Sequence, residues 1–168
     1  KGTKAEDATD GCEACAFGKF STALGATAEL TCNACSAGKR GSPTVVGTAD
    51  AHCTVCDAGM YQSDPAKTEC ANCAVGTFAA STGAALCNAC VAGQYTNAEK
   101  QLSCESCGEG QFQSSASKTE CEDCKAGQYS TATGQSECTS CAVGRYRIGD
   151  KGTKAEDATD GCEACAFG

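Results

Sequence analysis

The sequence predicts an elongated, solenoid-like rod of small, stacked, disulfide-rich repeats, mostly β or irregular, with little helix and no large hydrophobic core. Three observations support this fold class. The chain contains 18 cysteines, whereas Leu, Ile, Val and Phe are together fewer than the cysteines and Trp is absent. All the cysteines fall in CxxC pairs that recur at short intervals. The segment 1–18 returns, letter for letter, as residues 151–168.

The scarcity of large apolar side chains argues against an ordinary globular domain. Burial of apolar surface is the main favourable term in folding, and too little is available here to offset the conformational entropy of the chain. A cysteine content above one residue in ten is instead typical of disulfide scaffolds. Because disulfides persist in oxidising compartments, we expect an extracellular or cell-surface location.

The charge distribution argues against nucleic acid as a partner. The formal net charge is −8, and no basic stripe is present that would displace counterions from phosphates. No apolar run reaches the length of a bilayer span. We therefore expect no membrane span in this segment.

The spacing of the cysteines explains the identical ends. The nine CxxC pairs start at Cys12, Cys32, Cys53, Cys70, Cys87, Cys104, Cys121, Cys138 and Cys162. Five of the eight steps between them are equal, the other three are longer, and together they match the offset between the identical ends. We interpret residues 1–150 as one super-repeat of eight CxxC repeats and residues 151–168 as the start of the next copy. The chain is then an excerpt of a longer tandem array.

Two further positions recur with the cysteines. A glycine lies at a fixed distance after each first cysteine, at Gly18, Gly38, Gly59, Gly76, Gly93, Gly110, Gly127, Gly144 and Gly168. An aromatic residue follows two positions later, at Phe20, Tyr61, Phe78, Tyr95, Phe112, Tyr129 and Tyr146, whereas Arg40 takes this place in the second repeat. We expect the glycine to supply a positive φ or a close backbone approach. The aromatic residue is predicted to start a short strand and to cover a neighbouring disulfide.

The unit C-x-x-C-x-x-G-x-[FY], followed by a loop rich in Ser, Thr, Gly and Ala, resembles the ephrin-receptor-like cysteine-rich repeat, a relative of the first cysteine module of tumour necrosis factor receptors. The segments "CNACVAGQYTNAEKQLSC" and "CEDCKAGQYSTATGQSEC" are especially similar to it. The resemblance covers the whole chain, with Arg40 and the three long repeats as departures. Tandem versions with this composition look like ciliate surface antigens, CxxC-rich surface proteins of other protists and large extracellular proteins of algae.

The pairing of the cysteines has two alternatives. A bridge inside one CxxC makes a tight ring that is usually reserved for redox chemistry. The resemblance implies instead that the second cysteine of each pair joins the first cysteine of the next: Cys15–Cys32, Cys35–Cys53, Cys56–Cys70, Cys73–Cys87, Cys90–Cys104, Cys107–Cys121, Cys124–Cys138 and Cys141–Cys162. Cys12 and Cys165 would then pair with adjacent super-repeats. Because one such loop cannot stabilise itself, we expect an isolated repeat to be unstructured and a stacked series to be stable.

Metal binding, redox chemistry and catalysis have less support in the sequence than structural disulfides. Paired CxxC motifs also suit tetrahedral zinc, but few basic groups lie beside these cysteines in the acidic chain and the glycine–aromatic pattern favours disulfides. A redox CxxC needs a low-pKa thiol at the start of a helix. His52 is interpreted as a loop residue, and the acidic stretch with Glu6, Asp7 and Asp10 as a solvated loop, since it does not match an EF-hand. We expect no catalytic residue, cofactor or metal site.

The long repeats carry the extra loops "KRGSPTVVGTADAH" and "RIGDKGTKAEDATDG". The first interpretation is a solvated polar loop. The alternative is a lateral contact to a neighbouring chain once in each super-repeat, with Val45 and Val46 as its apolar element.

Hydroxyl residues near the aromatic position suggest O-linked glycans that project from disulfide-held loops. The candidates are Ser21, Thr22, Thr96, Ser114, Ser130 and Thr131. The sequence as a whole is interpreted as a non-enzymatic structural protein of an extracellular filament or cell-surface fibre, such as a mastigoneme-like ciliary appendage, whose partners are copies of itself. The alternative is the stalk of a surface antigen, adhesin or receptor-like ectodomain.

Overall fold

The computed structural model describes residues 15–23, 32–42, 52–147 and 162–165. Within these residues the regular elements are sixteen strands of two or three residues each. They are β1 (Lys19–Phe20), β2 (Asn33–Ala34), β3 (Lys39–Gly41), β4 (Cys53–Val55), β5 (Met60–Tyr61), β6 (Ala71–Asn72), β7 (Thr77–Phe78), β8 (Asn88–Ala89), β9 (Gln94–Tyr95), β10 (Glu105–Ser106), β11 (Gln111–Phe112), β12 (Glu122–Asp123), β13 (Gln128–Tyr129), β14 (Thr139–Ser140), β15 (Arg145–Tyr146) and β16 (Glu163–Ala164).

The strands form eight two-stranded antiparallel sheets, each between strands that are consecutive in the chain. In every sheet the strand that ends near the aromatic position pairs with the interior of the next CxxC. In one of these sheets, for example, Thr77 lies opposite Ala89 and Phe78 opposite Asn88. Each loop between these strands is therefore the connection of a β-hairpin.

The start of these strands corrects one expectation. The strand begins one residue before the aromatic position, at Thr77 rather than at Phe78. The preceding turn ends at Gly76, and the Thr77 N–H closes it by donating to the Ala74 carbonyl at 3.0 Å. Because that bond already fixes Thr77, the chain is extended before it reaches the aromatic residue.

A disulfide closes the base of each hairpin. The bonded pairs are Cys15–Cys32, Cys35–Cys53, Cys56–Cys70, Cys73–Cys87, Cys90–Cys104, Cys107–Cys121, Cys124–Cys138 and Cys141–Cys162. These are the pairs that the family resemblance implies. The second cysteine of each CxxC is generally the more buried, and Cys56, Cys73, Cys90, Cys107 and Cys124 are wholly inaccessible to solvent. Sulfur takes the place of an aliphatic core in these repeats.

The chain divides into two compact units, residues 1–73 with 79–87, and residues 74–78 with 88–168. We number each repeat by its CxxC, so that the third repeat starts at Cys53 and the fourth at Cys70. In the first unit, backbone hydrogen bonds join the second repeat to the third and the third to the fourth. The bonds of the third and fourth repeats are Gly59 N–H to Ala79 O, Gln62 N–H to Ala84 O, and Gly83 N–H to Cys56 O, at 2.8, 3.1 and 2.8 Å.

The second unit uses the same three bonds. Between the fifth and sixth repeats they are Gly93 N–H to Gln113 O, Thr96 N–H to Lys118 O, and Ser117 N–H to Cys90 O. Between the sixth and seventh repeats they are Gly110 N–H to Ser130 O, Gln113 N–H to Gln135 O, and Gly134 N–H to Cys107 O. The prediction of small, mostly β or irregular disulfide-rich repeats is thereby confirmed for the described residues, and successive repeats stack in one recurring register within each unit.

Candidate functional site

The junction between successive repeats is the most regular chemical feature of the described residues. Its central donor is the amide of the recurring glycine, which bonds to the residue that follows the aromatic position in the next repeat. The Gly76 N–H donates to both the carbonyl and the hydroxyl oxygen of Thr96, at 3.0 and 2.7 Å. Thr96 is only 3% exposed. The junction thus binds the next repeat through the backbone amide of the recurring glycine.

The same glycine position also permits a close approach between repeats that are two apart. Gly93 has a φ of +82°, and a Cβ placed there would lie 2.1 Å from the Gly134 carbonyl oxygen. No real Cβ tolerates that distance from a backbone atom. Gly93 therefore combines a positive φ with a close backbone approach, the two features that the sequence predicts as alternatives.

A second left-handed position lies in the loops, and sequence reasoning missed it. Its members take equivalent places in successive repeats and have φ between 58° and 74°: Ala66, Gly83, Lys100, Ser117 and Gly134. The amide of Ser117, for example, donates to the Cys90 carbonyl at 2.9 Å. The varied side chains hide the position in the sequence, so that only the regular spacing of the repeats could have found it.

Two glutamines hold their loops through the side-chain amide. Gln62 Nε2 donates to the Glu69 carbonyl at 2.6 Å, and its Oε1 accepts from the Asp64 N–H at 3.0 Å. Gln113 makes the equivalent bonds to Glu120 and Ser115 at 2.9 and 3.2 Å. These bonds lie within one loop and do not depend on contacts with a neighbouring repeat.

The candidate glycosylation residues divide by exposure. Thr22 and Ser114 are exposed, and Ser21 and Thr131 are partly buried. Thr96 and Ser130 are only 3% and 4% exposed, and the Ser130 hydroxyl donates to the Ala132 carbonyl at 3.1 Å. A glycosyltransferase cannot reach a hydroxyl enclosed at a repeat junction. The burial of Thr96 and Ser130 therefore argues against O-linked glycans at these two residues.

A hydrogen-bonded pair across two strands, Tyr95 and Glu105, raises the pKa of the tyrosine. The Tyr95 hydroxyl donates to the Glu105 carboxylate at 3.0 Å, across the pairing of β9 with β10. This hydrogen bond, together with partial burial and the negative charge of Glu105, raises the pKa of Tyr95 above its usual value of 10.0. The pKa of the exposed Tyr146 is raised in the same way by Glu163. The tyrosines therefore contribute a polar pair to the strand surface.

Almost all the described cysteines are in disulfides and so have no thiolate that could bind a metal ion. The eight disulfides occupy every cysteine of the described residues except Cys165, which is exposed with a free thiol. A disulfide sulfur carries no thiolate charge, so the CxxC pairs of the described repeats are not zinc half-sites. Within the described ranges, no three His, Cys, Asp or Glu side chains come together as metal ligands. His52 is partly buried immediately before β4.

Several predicted features lie outside the described residues. They are Cys12, Gly168, Val45 and Val46 of the proposed lateral contact, and the acidic residues Glu6, Asp7 and Asp10 with their repeat at 156–160. Of the loop "RIGDKGTKAEDATDG", only the first residue, Arg147, is described. Arg145 precedes this loop in β15, and its Nη1 donates to the Cys162 carbonyl at 3.4 Å.

Within the described ranges, no helix has the length and apolar character to cross a bilayer. The density of disulfides points to an extracellular or cell-surface location. No curated protein matches the chain in sequence. The family model described as tyrosine-protein kinase ephrin type A/B receptor-like matches residues 43–86, 76–119 and 110–160, which together make up well over half of the chain. The chain therefore belongs to the ephrin type A/B receptor-like family of cysteine-rich repeats.

Proposed function

We propose that this chain is a segment of a non-enzymatic structural protein that forms an extracellular filament or cell-surface fibre. Its partners are further copies of the same super-repeat, in the same array and in lateral neighbours. The observation that carries this proposal is the return of residues 1–18 as residues 151–168. A periodic object needs equivalent units, whereas a receptor stalk gains nothing from keeping its repeats identical.

The chemistry of the junctions supports growth by repetition. The bonds between repeats join backbone amides to backbone carbonyls, so they depend little on which side chains a repeat carries. A further repeat with the same cysteine and glycine spacing can therefore stack in the same register. On this proposal Cys165 pairs with the next super-repeat, as its sequence equivalent Cys15 pairs with Cys32.

Glycosylation belongs to the same proposal. Thr22 and Ser114 are the exposed candidates, and both follow the aromatic position closely in the chain. O-linked sugar there would add solubility and protease resistance to a repeat with almost no apolar core. Mass spectrometry of the native protein tests this, and unmodified peptides at both residues would remove glycosylation from the proposal.

The second candidate is the stalk of a surface antigen, adhesin or receptor-like ectodomain. Membership of an ephrin-receptor-like family favours it, because that family is named for a receptor. In this case the repeats present another part of the protein, and their function is spacing.

Electron microscopy of the native material, prepared without reductant, separates the two candidates. The filament proposal expects continuous fibres with an axial period set by the super-repeat, and loss of the fibres after disulfide reduction. Discrete short rods that end in a globular head or a membrane would refute it in favour of the stalk. An antibody against the segment 1–18 should label a fibre once per period and a short stalk only a few times.

A further inference from the structure

The disulfides form a continuous covalent route along the described chain. Each bond joins the second cysteine of one CxxC to the first cysteine of the next, as Cys90–Cys104 and Cys107–Cys121 do. Between two successive disulfides, for example from Cys104 to Cys107, the backbone advances only across one CxxC. The loop between two CxxC motifs is therefore a side branch of this route.

The length of the route follows from the bond geometry. The Cα atoms of a disulfide are separated by 5.4–5.8 Å, and an extended backbone advances about 3.5 Å per residue. Fully stretched, the route from Cys15 to Cys162 measures roughly 120 Å, whereas the same residues without disulfides would extend to roughly 510 Å. Most of the contour length therefore lies in loops that a pull on the two ends cannot extend while the disulfides are intact.

We propose that the disulfides make this chain an extension-limited tether, in which tension runs through the CxxC motifs and the disulfides while the hairpin loops carry none. This inference does not depend on whether the chain belongs to a filament or to a stalk. It assigns a mechanical task to the family fold, because an extracellular fibre or spacer is exposed to shear. The limit is covalent, so it holds at forces that break every hydrogen bond of the stack.

The loops then act as reversible contacts. Under tension the junction bonds can open, such as Gly93 N–H to Gln113 O and Ser117 N–H to Cys90 O. The loops themselves stay closed by their disulfides and, in two repeats, by the side chains of Gln62 and Gln113. Because each loop keeps its ends together, it needs no new loop closure before it stacks again. We expect fast recovery of length when the force is released.

Single-molecule force spectroscopy on the oxidised chain, held by fused terminal handles, tests the proposal. Between Cys15 and Cys162 the contour length should stay near a value of about 120 Å up to the force at which the handles detach. Repeated pulls should superimpose after short pauses. Release of several hundred ångströms from the oxidised chain would overturn the proposal.

Two double variants give a matched comparison, because their loops differ in length. The disulfide Cys90–Cys104 bridges a sequence separation of 14, and Cys141–Cys162 bridges 21. Replacing both cysteines by alanine should add about 45 Å of contour length in the first case and about 70 Å in the second. Increments that are equal, or that are absent, would refute the assignment of these loops as withheld length. Non-reducing peptide mapping establishes that the other disulfides remain.

Stepwise reduction of the wild-type chain under constant force provides a test that needs no variant. A dithiol attacks one sulfur of a disulfide and forms a mixed disulfide with it, and the other protein sulfur leaves as a thiolate that takes up a proton. The second thiol of the reagent then attacks the reagent's own sulfur in the mixed disulfide, closes a ring and releases the first protein sulfur as a second thiol. The protein disulfide gains two electrons and the dithiol loses them. Discrete steps of about 45 Å, with a minority of longer ones, are expected. A single continuous elongation would contradict the route. Any of these results leaves the choice between filament and stalk to microscopy.

Discussion

Replacing Gly93 by alanine should separate the sixth and seventh repeats. The new Cβ would meet the Gly134 carbonyl oxygen at 2.1 Å and the carbonyl carbon at 2.7 Å. Both are backbone atoms, so no side chain can rotate to relieve the overlap. The loop around Gly134 must move away, and with it the bond from the Gly134 N–H to the Cys107 carbonyl, 2.8 Å long.

The magnitude follows from two terms. An alanine with the φ of Gly93, +82°, costs about 1–2 kcal/mol in the left-handed region. Loss of the three junction bonds adds about 1 kcal/mol each. Gly134→Ala is the matched control, because its φ is +74° but its nearest neighbour is the Ser106 Oγ at 3.6 Å, an ordinary contact. Gly93→Ala should therefore be less stable than Gly134→Ala by about 3 kcal/mol.

Amide hydrogen exchange measures this difference locally. In Gly93→Ala the Gln113 amide, which bonds to the Gln135 carbonyl at 3.1 Å, should exchange about 100-fold faster than in Gly134→Ala. The Gln62 amide of the first unit serves as an internal reference that should not change. Equal acceleration in both variants would refute the reasoning, since the backbone conformation would then matter and the close approach would not. No acceleration in either variant would refute the stacked junction itself.

Three further predictions concern single contacts and a single repeat. Thr96→Val removes the hydroxyl that accepts from the Gly76 N–H and should lower the free energy of unfolding by about 1 kcal/mol, whereas Thr96→Ser should retain it; equal denaturation curves for the two variants would contradict a role for the hydroxyl. Glu105→Gln should lower the pKa of Tyr95 toward its usual value, as measured by an NMR titration. The control is Glu122→Gln, which should leave the pKa of Tyr95 unchanged because Glu122 lies opposite a phenylalanine. Because that pKa is raised in the folded chain, the stabilisation from the Tyr95 pair is fully present below the usual tyrosine pKa of 10.0 and is lost as the pH rises through the folded pKa. A peptide of one oxidised repeat should lack β-structure by circular dichroism, and a folded peptide would show that stacking is not required.

The repeat architecture could be read largely from the sequence. Cysteine spacing gives the number and the boundaries of the repeats, and a glycine that recurs at one distance from each CxxC indicates a backbone requirement there. Gly93 illustrates why this works, since both its positive φ and its close neighbour exclude other residues. Covalent bonds and steric exclusion depend on residue type, so they leave a pattern in the sequence.

The position of the loops was decided by tertiary structure. The left-handed position is filled by Ala66, Lys100 and Ser117 as well as by glycine, so its residue types carry no pattern. Burial of the Thr96 and Ser130 hydroxyls likewise depends on which loop stacks over them, so the sequence could not distinguish these two glycan candidates from the exposed ones.

The sequence by itself determined the spacing of the cysteines and the recurring glycine, because cysteine and glycine are the residues whose chemistry and size no other residue can replace. The family resemblance implied how the cysteines pair. Tertiary structure alone decided how one repeat rests on the next. Those contacts are hydrogen bonds between backbone amides and carbonyls, as from the Gly93 N–H to the Gln113 carbonyl. Every residue except proline can make such bonds, and they therefore leave almost no trace in the order of the side chains.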